Sequence, residues 1–314
     1  MQIGMIGLGR MGGAMATKLC HADIHVVGYD ADGKSVDALN NVPGFDGAYS
    51  LDSLLNAMPA PRILWLMLPA GKPTQAVLDE LRFKLAVGDT IVNGGNNFYK
   101  ESMATAEIFR DAGIAFVDAG VSGGVHGAAN GYCLMLGGEA VAIKRIERVL
   151  NGLAPDPNQW LHCGPSGAGH FTKMVHNGIE YGMMQAYSEG FSLLSAKREF
   201  DLDIGAVAET WRHGSVLRSW LLDLTADFLK KDRALDGVAP VVPDSGEGRW
   251  TALEAIELGV PTPVMSLALM SRFASQGEDE YSAKLLAMMR KGFGGHAVVA
   301  APDVAAESAK PAKP

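Results

Sequence analysis

The stretch GAGHFTKMVHNGIE at 167–180 gathers His170, Lys173, His176, Asn177 and Glu180 at helical spacing. Lys173, Asn177 and Glu180 fall at i, i+4 and i+7 on one helix face, with His176 beside them. A lysine in such a set acts as a base when burial or a neighbouring charge lowers its pKa. An acid seven residues on can return a proton, and an asparagine amide can orient an oxygen. The alternative is a solvated polar face held by ordinary i,i+4 pairs. The choice depends on what the rest of the chain sets beside this helix.

The N-terminal residues supply a reason for chemistry there. An apolar run at 2–6 leads into GLGRMG, which contains Gly7, Gly9 and Gly12, and a helical pattern runs on through Met15 and Leu19. A second apolar run at 24–28 ends in Tyr29–Asp30. The order is strand, glycine turn, helix, strand. Gly7 permits the tight turn, Gly9 lets a pyrophosphate reach the backbone, and Gly12 lets the helix pack on the sheet. The helix N-terminus offers N–H groups and a positive field to phosphate. Asp30, 21 residues after Gly9, is placed to accept from an adenosine ribose. Leu8, Arg10 and Met11 in the turn, with Leu68, Pro69 and Asn96 from later loops, complete the candidate nucleotide contacts. A carboxylate at 30 repels a 2′-phosphate, so NAD is the expected cofactor. Arg10, within the turn, keeps NADP as the alternative.

Strands alternating with helices continue at 62–68, 90–93, 114–118 and 132–137, with a closing segment at 153–163. This predicts an α/β, Rossmann-type dinucleotide-binding domain with a mostly parallel sheet over 1–165. Ligands in such sheets sit beyond the C-terminal strand ends, where the polar loops at 68–71, 93–97 and 122–127 fall. Beyond Pro165 the strand signals stop. Helical patterns at 171–197, 204–213, 216–229, 251–258, 263–276 and 280–290 predict an all-α C-terminal domain over 166–297, in a single, non-duplicated copy. The segment 298–314, which ends in AAESAKPAKP, reads as a disordered tail.

Bulk properties narrow the function. The 314 residues suit about two domains, and 48% hydrophobic content can fill their cores. A net charge of −8 argues against a nucleic-acid surface, while a local cluster of cations still admits an anionic small substrate. Cys20, Cys133 and Cys163 match neither a disulfide framework nor a zinc site, and are expected to be buried and inert. No metal is expected. MQIGMIGLG lacks the pattern of a signal peptide, and no uncharged apolar run suits a membrane span, so the expected setting is cytoplasmic.

GAGHFTKMVHNGIEYG resembles the signature of decarboxylating 6-phosphogluconate dehydrogenases, within the β-hydroxyacid dehydrogenase superfamily. The resemblance extends to GLGRMG, NGGNN at 93–97, VSGGVHGA at 121–128, WRHGSVLRS at 211–219 and RKGFGGH at 290–296. It implies oxidative decarboxylation of 6-phosphogluconate to ribulose 5-phosphate. Lys173 would be the general base and Glu180 the general acid. Asn177, His176, Asn96, Ser122, Gly123 and Gly124 would hold the sugar hydroxyls and carboxylate. Tyr181, Arg218, Arg290 and His296 would hold the phosphate, with Arg290 and His296 supplied by a neighbouring subunit, which implies a homodimer at least. Three departures stand out. The chain has room for one helical domain where long family members carry two. SGEGRW at 245–250 replaces GTGKW, so Arg249 stands for a lysine and Glu247 adds a carboxylate. Val125–His126 replaces a pair of glutamates. The alternatives are another β-hydroxyacid dehydrogenase or imine reductase, which would not need the phosphate cluster, and a non-catalytic nucleotide sensor, which would not need Lys173 and Glu180.

Overall fold

The computed structural model describes residues 1–235, 237–277 and 280–294. Eight strands form one sheet: β1 (Gln2–Ile6), β2 (His25–Tyr29), β3 (Phe45–Ala48), β4 (Ile63–Leu66), β5 (Thr90–Asn93), β6 (Ala115–Ser122), β7 (Cys133–Gly137) and β8 (Trp160–Gly164). The helices between them are α1 (Arg10–His21), α2 (Gly33–Asp37), α3 (Leu51–Asn56), α4 (Lys72–Arg82), α5 (Tyr99–Asp111), α6 (Gly127–Asn130) and α7 (Ala140–Leu153). Then follow α8 (Ala168–Ala196), α9 (Ile204–Arg212), α10 (Trp220–Lys231), α11 (Glu247–Leu258), α12 (Pro263–Ser275) and α13 (Glu280–Gly294).

The strand order is β3-β2-β1-β4-β5-β6-β7-β8. From β1 the chain winds outward to β3, then returns to the other side of β1 as β4. That reversal is the switch point at which doubly wound sheets bind ligands. β1 to β6 pair in parallel through the register Tyr29, Ile6, Leu66, Asn93, Asp118. These residues form one row across the sheet, so whatever follows each of them emerges at the same edge. Gly7, Asp30, Leu68, the 93–97 loop and Ser122 all lie on that edge.

The strands are continuous apolar runs because both faces are covered. One face buries Ile3, Met5, Val26, Trp65 and Val117 with α1 and α7; the other buries Ile6, Val27, Leu64, Leu66 and Ile91 with helices that include α3, α4 and α5. Trp65 is fully buried, as its place in an apolar strand predicts, and Met67 is packed at the core's margin. β7 runs antiparallel to β6, pairing Ser122 with Cys133, so the SGG segment opens a loop that doubles back along its own strand. Sequence patterning does not reveal this direction, because a buried strand reads alike either way. β3, α2 and α3 are also additions to the expected pattern: β3 has only four residues, with burial that is not continuous.

The chain forms two compact units. The first comprises residues 1–197 and 245–266, so α8 and α11 pack with the sheet. The second comprises 198–244 and the residues from 267 on. In the second unit α9 and α10 pair, and Arg212 on α9 bonds Asp223 and Asp227 on α10. α10 starts at Trp220 rather than at 216 as expected. Ser219 takes the N-cap and its hydroxyl accepts from the Leu222 amide at 3.1 Å. Arg218 therefore stands in the turn before the helix and not within it. Among the described residues no helix is long and apolar enough to cross a membrane. The tail from 298 and His296 lie outside the described residues.

Candidate active site

The site begins at the row that ends in Asp118. Its fully buried carboxylate accepts from the Gly167 amide at 2.6 Å and the His170 amide at 2.8 Å. These are orphan amides at the start of α8, and no other side chain caps that helix. The helix lies very close to the sheet. A Cβ on Gly169 would sit 2.4 Å from the Asp118 carbonyl, and one on Gly120 would sit 2.4 Å from the Lys173 Cβ. Gly169 therefore lets the first turn touch β6 and β7. Gly120 leaves the space through which the Lys173 stem passes.

His170 reaches into the sheet edge. Its Nδ1 meets Ser102 Oγ at 2.6 Å and its Nε2 meets the Asn93 carbonyl at 3.1 Å. The carbonyl can only accept, so Nε2 donates to it. Burial lowers the pKa of this ring and favours its neutral form, which then accepts from Ser102. The Asn93 side chain in turn holds the Gly95 amide and Asn97, both at 3.2 Å. The 93–97 loop and α8 are thus connected through one buried histidine. His170, Asp118 and Ser102 were not among the predicted site residues. The cue for His170 was its place one turn before Lys173, within the same signature.

Lys173 is 8% exposed. Its Nζ donates to Asn177 Oδ1 at 2.5 Å and lies 3.4 Å from His176 Nδ1. His176 Nε2 lies 3.4 Å from Ser122 Oγ, and Glu180 Oε2 is 3.8 Å from His176 Nδ1. The predicted quartet therefore converges, and Ser122 joins it from β6. Burial pushes the Lys173 pKa down, while the charges of Glu180 and Glu247 and the Cys133 thiol oppose that shift. The balance favours a lysine that gives up its proton more readily than a solvated one. This is the environment a general base requires.

α11 closes the other side. Thr251 Oγ1 donates to the Met174 carbonyl at 2.9 Å, and a Cβ on Gly178 would press on Thr251 at 2.7 Å. An aromatic ladder of Trp250, Phe98, Tyr99 and Phe171, with centroids 5.1–5.3 Å apart, joins α11, α5 and α8. Tyr181 is buried, and its Oη lies 3.1 Å from Ser245 Oγ, which donates to Glu247 Oε2 at 2.5 Å. Glu247 itself is buried at 4% exposure. Arg249 is exposed on α11, and Asn96 is exposed in its loop. Gly123 and Gly124, with φ of +123° and +49°, turn the chain at the end of β6. Arg218 and the exposed Arg290 of α13 belong to the second unit. Two expectations fail. Cys133 is exposed and Cys163 half-buried, leaving only Cys20 in the core: Cys133 is the first residue of β7, and Cys163 lies near the end of the edge strand β8. Met183 and Met184 on α8, which their apolar character would place in packing, are 40% and 41% exposed.

The nucleotide turn matches the predicted geometry. Gly7 has φ +91°, and a Cβ there would strike the Met67 carbonyl at 2.5 Å. A Cβ on Gly12 would fall 1.9 Å from the Gly7 carbonyl, whereas one on Gly9 meets nothing within 4 Å. The α1 N-terminus has no side-chain cap and no acidic residue in its first turn. Open space, uncapped amides and no negative charge suit a pyrophosphate. Asp30 Oδ2 accepts from the Leu8 amide at 2.7 Å and Oδ1 from the Asp32 amide at 2.9 Å. The carboxylate is held rigidly beside the turn with lone pairs still available for ribose hydroxyls.

A doubly wound sheet with an open phosphate turn, followed by helices, defines a dinucleotide-binding protein with a mostly helical C-terminal domain. Residues 2–164 match the family described as the NAD binding domain of 6-phosphogluconate dehydrogenase, and residues 169–302 match its C-terminal domain. A Bacillus subtilis protein bearing the family name is 43% identical over 297 residues, covering 95% of this chain and 99% of its own length. A Haloferax volcanii protein named as an NAD(+)-dependent, decarboxylating 6-phosphogluconate dehydrogenase is 40% identical over 299 residues, covering 95% and 98%. The solved Plasmodium falciparum 6-phosphogluconate dehydrogenase superposes with a TM-score of 0.81 at 28% identity, over 96% of this chain and 67% of that one. This chain belongs to the 6-phosphogluconate dehydrogenase family, and its residues match one copy of the family's C-terminal domain.

Proposed function

We propose that this protein is an NAD-preferring, decarboxylating 6-phosphogluconate dehydrogenase. The observation that carries the reading is the buried Lys173, bonded to Asn177 and followed two turns later by Glu180, at the C-terminal edge of a dinucleotide sheet. NAD, bound along the Gly7–Gly12 turn with its ribose at Asp30, supplies the two-electron acceptor for carbon 3 of the substrate. Lys173 takes the proton of the C3 hydroxyl as that carbon is oxidised. The product is a β-keto acid, and protonated Lys173 then hydrogen-bonds the keto oxygen while carbon dioxide leaves. The electrons of the broken carbon–carbon bond form an enediol. Lys173 gives the enediol its hydroxyl proton and takes it back as Glu180 delivers a proton to carbon 1, which gives ribulose 5-phosphate. Asn177 fixes the Lys173 ammonium, and His176, Ser122 and Asn96 orient hydroxyls and carboxylate. Gly123 and Gly124 let the backbone approach the same groups.

Tyr181, Arg218, Arg249, Arg290 and His296 are assigned to the phosphate, the last two from a second copy of the chain. A homodimer is supported by apolar side chains left exposed in the first unit, among them Ile179, Leu253, Ile256 and Val264. In this reading residues 166–297 form the substrate-binding and dimerisation domain. The test is a steady-state assay with 6-phosphogluconate, following reduced cofactor and carbon dioxide together with NAD or NADP. Equal yields of both products and a higher kcat/KM with NAD are expected. Reduced cofactor without carbon dioxide would defeat the decarboxylation. Inactivity with both cofactors would move the assignment to unphosphorylated hydroxyacids.

A further inference from the structure

Glu247 stands where the GTGKW pattern has a threonine, and the proposed reaction gives it no task. It nevertheless sits buried on the first turn of α11, where it governs a hydroxyl that the reaction does use. A carboxylate only accepts hydrogen bonds, so Ser245, 2.5 Å from Oε2, spends its single proton on Glu247. The Ser245 oxygen can then only accept from Tyr181 Oη, 3.1 Å away. The phenol proton is committed to Ser245, and what Tyr181 can turn toward a ligand is lone pairs.

We propose that Ser245 and Glu247 are specificity-determining residues. Together they hold the Tyr181 hydroxyl as a hydrogen-bond acceptor, which favours a ligand hydroxyl at that position and disfavours a phosphate dianion, whose oxygens also only accept. The relay thus weakens the Tyr181–phosphate contact and leaves phosphate recognition to the cationic side chains. This inference rests on the proposed assignment of Tyr181 to the substrate phosphate. Its geometry lies wholly within the first compact unit.

Ser245→Ala breaks the relay and keeps the Glu247 charge, and Ser245 is exposed, so the fold has little at stake. Calorimetric binding of 6-phosphogluconate and of gluconate would be measured at pH 8 for the unaltered chain, S245A, Y181F and S245A/Y181F. S245A should bind 6-phosphogluconate roughly tenfold more tightly, the scale of one hydrogen bond to a charged group. Gluconate affinity should not rise. The gain should vanish in the Y181F background, where there is no phenol proton to release. An unchanged or weaker affinity in S245A overturns the relay. So does a gain that persists without the tyrosine hydroxyl, an equal gain for gluconate, or no binding by any variant. Turnover is read separately. Tightening without turnover removes the assigned reaction and keeps the relay, whereas turnover without tightening removes the relay alone.

Discussion

Asp118 and His170 are joined through the backbone: the carboxylate at the sheet's site edge accepts the His170 amide at 2.8 Å and the Gly167 amide at 2.6 Å. One buried acid thus fixes where α8 begins, and with it the height of Lys173 above the sheet. Asp118→Asn offers one acceptor where two are needed and sets an amide donor against a backbone donor. A loss of about 3 kcal/mol is expected, the scale of an unsatisfied buried group next to a broken charged hydrogen bond. Urea unfolding of the variant would measure it, and an unchanged midpoint would show that the acid is not the anchor.

Lys173 sets stability against activity. Its pKa is lowered by burial, so between that value and the ordinary 10.5 the unfolded chain binds more protons than the folded one. Stability therefore rises with pH across this window, and the cost is fully present below it. Lys173→Met should lower kcat by about a thousandfold. It should also raise the melting temperature at pH 7 by roughly 2–4 °C, a gain that fades as the pH approaches 10.5. In the unaltered enzyme the acid limb of kcat/KM should fall below the solvated lysine value.

Gly9 and Gly12 should fail in different ways. Gly12→Ala drives a Cβ into the Gly7 carbonyl, so it should lower the melting temperature and NAD affinity together. At Gly9 the added methyl meets no protein atom within 4 Å, so Gly9→Ala should keep the melting temperature and still lose NAD affinity tenfold or more. Thermal scans with and without NAD separate the two. Equal melting losses would contradict the space seen at Gly9.

Asp30 should carry cofactor choice. Asp30→Ser removes the charge that opposes a 2′-phosphate, and the ratio of kcat/KM for NAD over NADP should drop at least tenfold, about 1.4 kcal/mol. Some activity with both cofactors should also be lost, because the Leu8 amide loses its 2.7 Å acceptor. A ratio that stays fixed would shift the discrimination to Arg10.

The sequence made the chemistry more legible than the scaffold that holds it. The Gly7–Gly12 turn and the Lys173, Asn177 and Glu180 face could be read because each rests on local spacing within one element. Asp118 and Ser102 could not, because their importance arises from partners 49 and 68 residues away that only the folded chain brings into line. The reversed direction of β7 escaped because hydrophobic pattern records burial and not polarity. The helix expected from 216 begins four residues later, at Trp220 behind the Ser219 cap, and this moves Arg218, a candidate ligand, into a turn.

Gly120 has a consequence for how such a protein can change. With a Cβ there aimed at the Lys173 stem, every other residue type at 120 would push that side chain out of register. Drift in substrate preference is therefore channelled away from β6 and toward α11 and the exposed loops. The missing side chain acts as a keyhole: the lysine stem threads through it, and position 120 is closed to any side chain while that stem is in place.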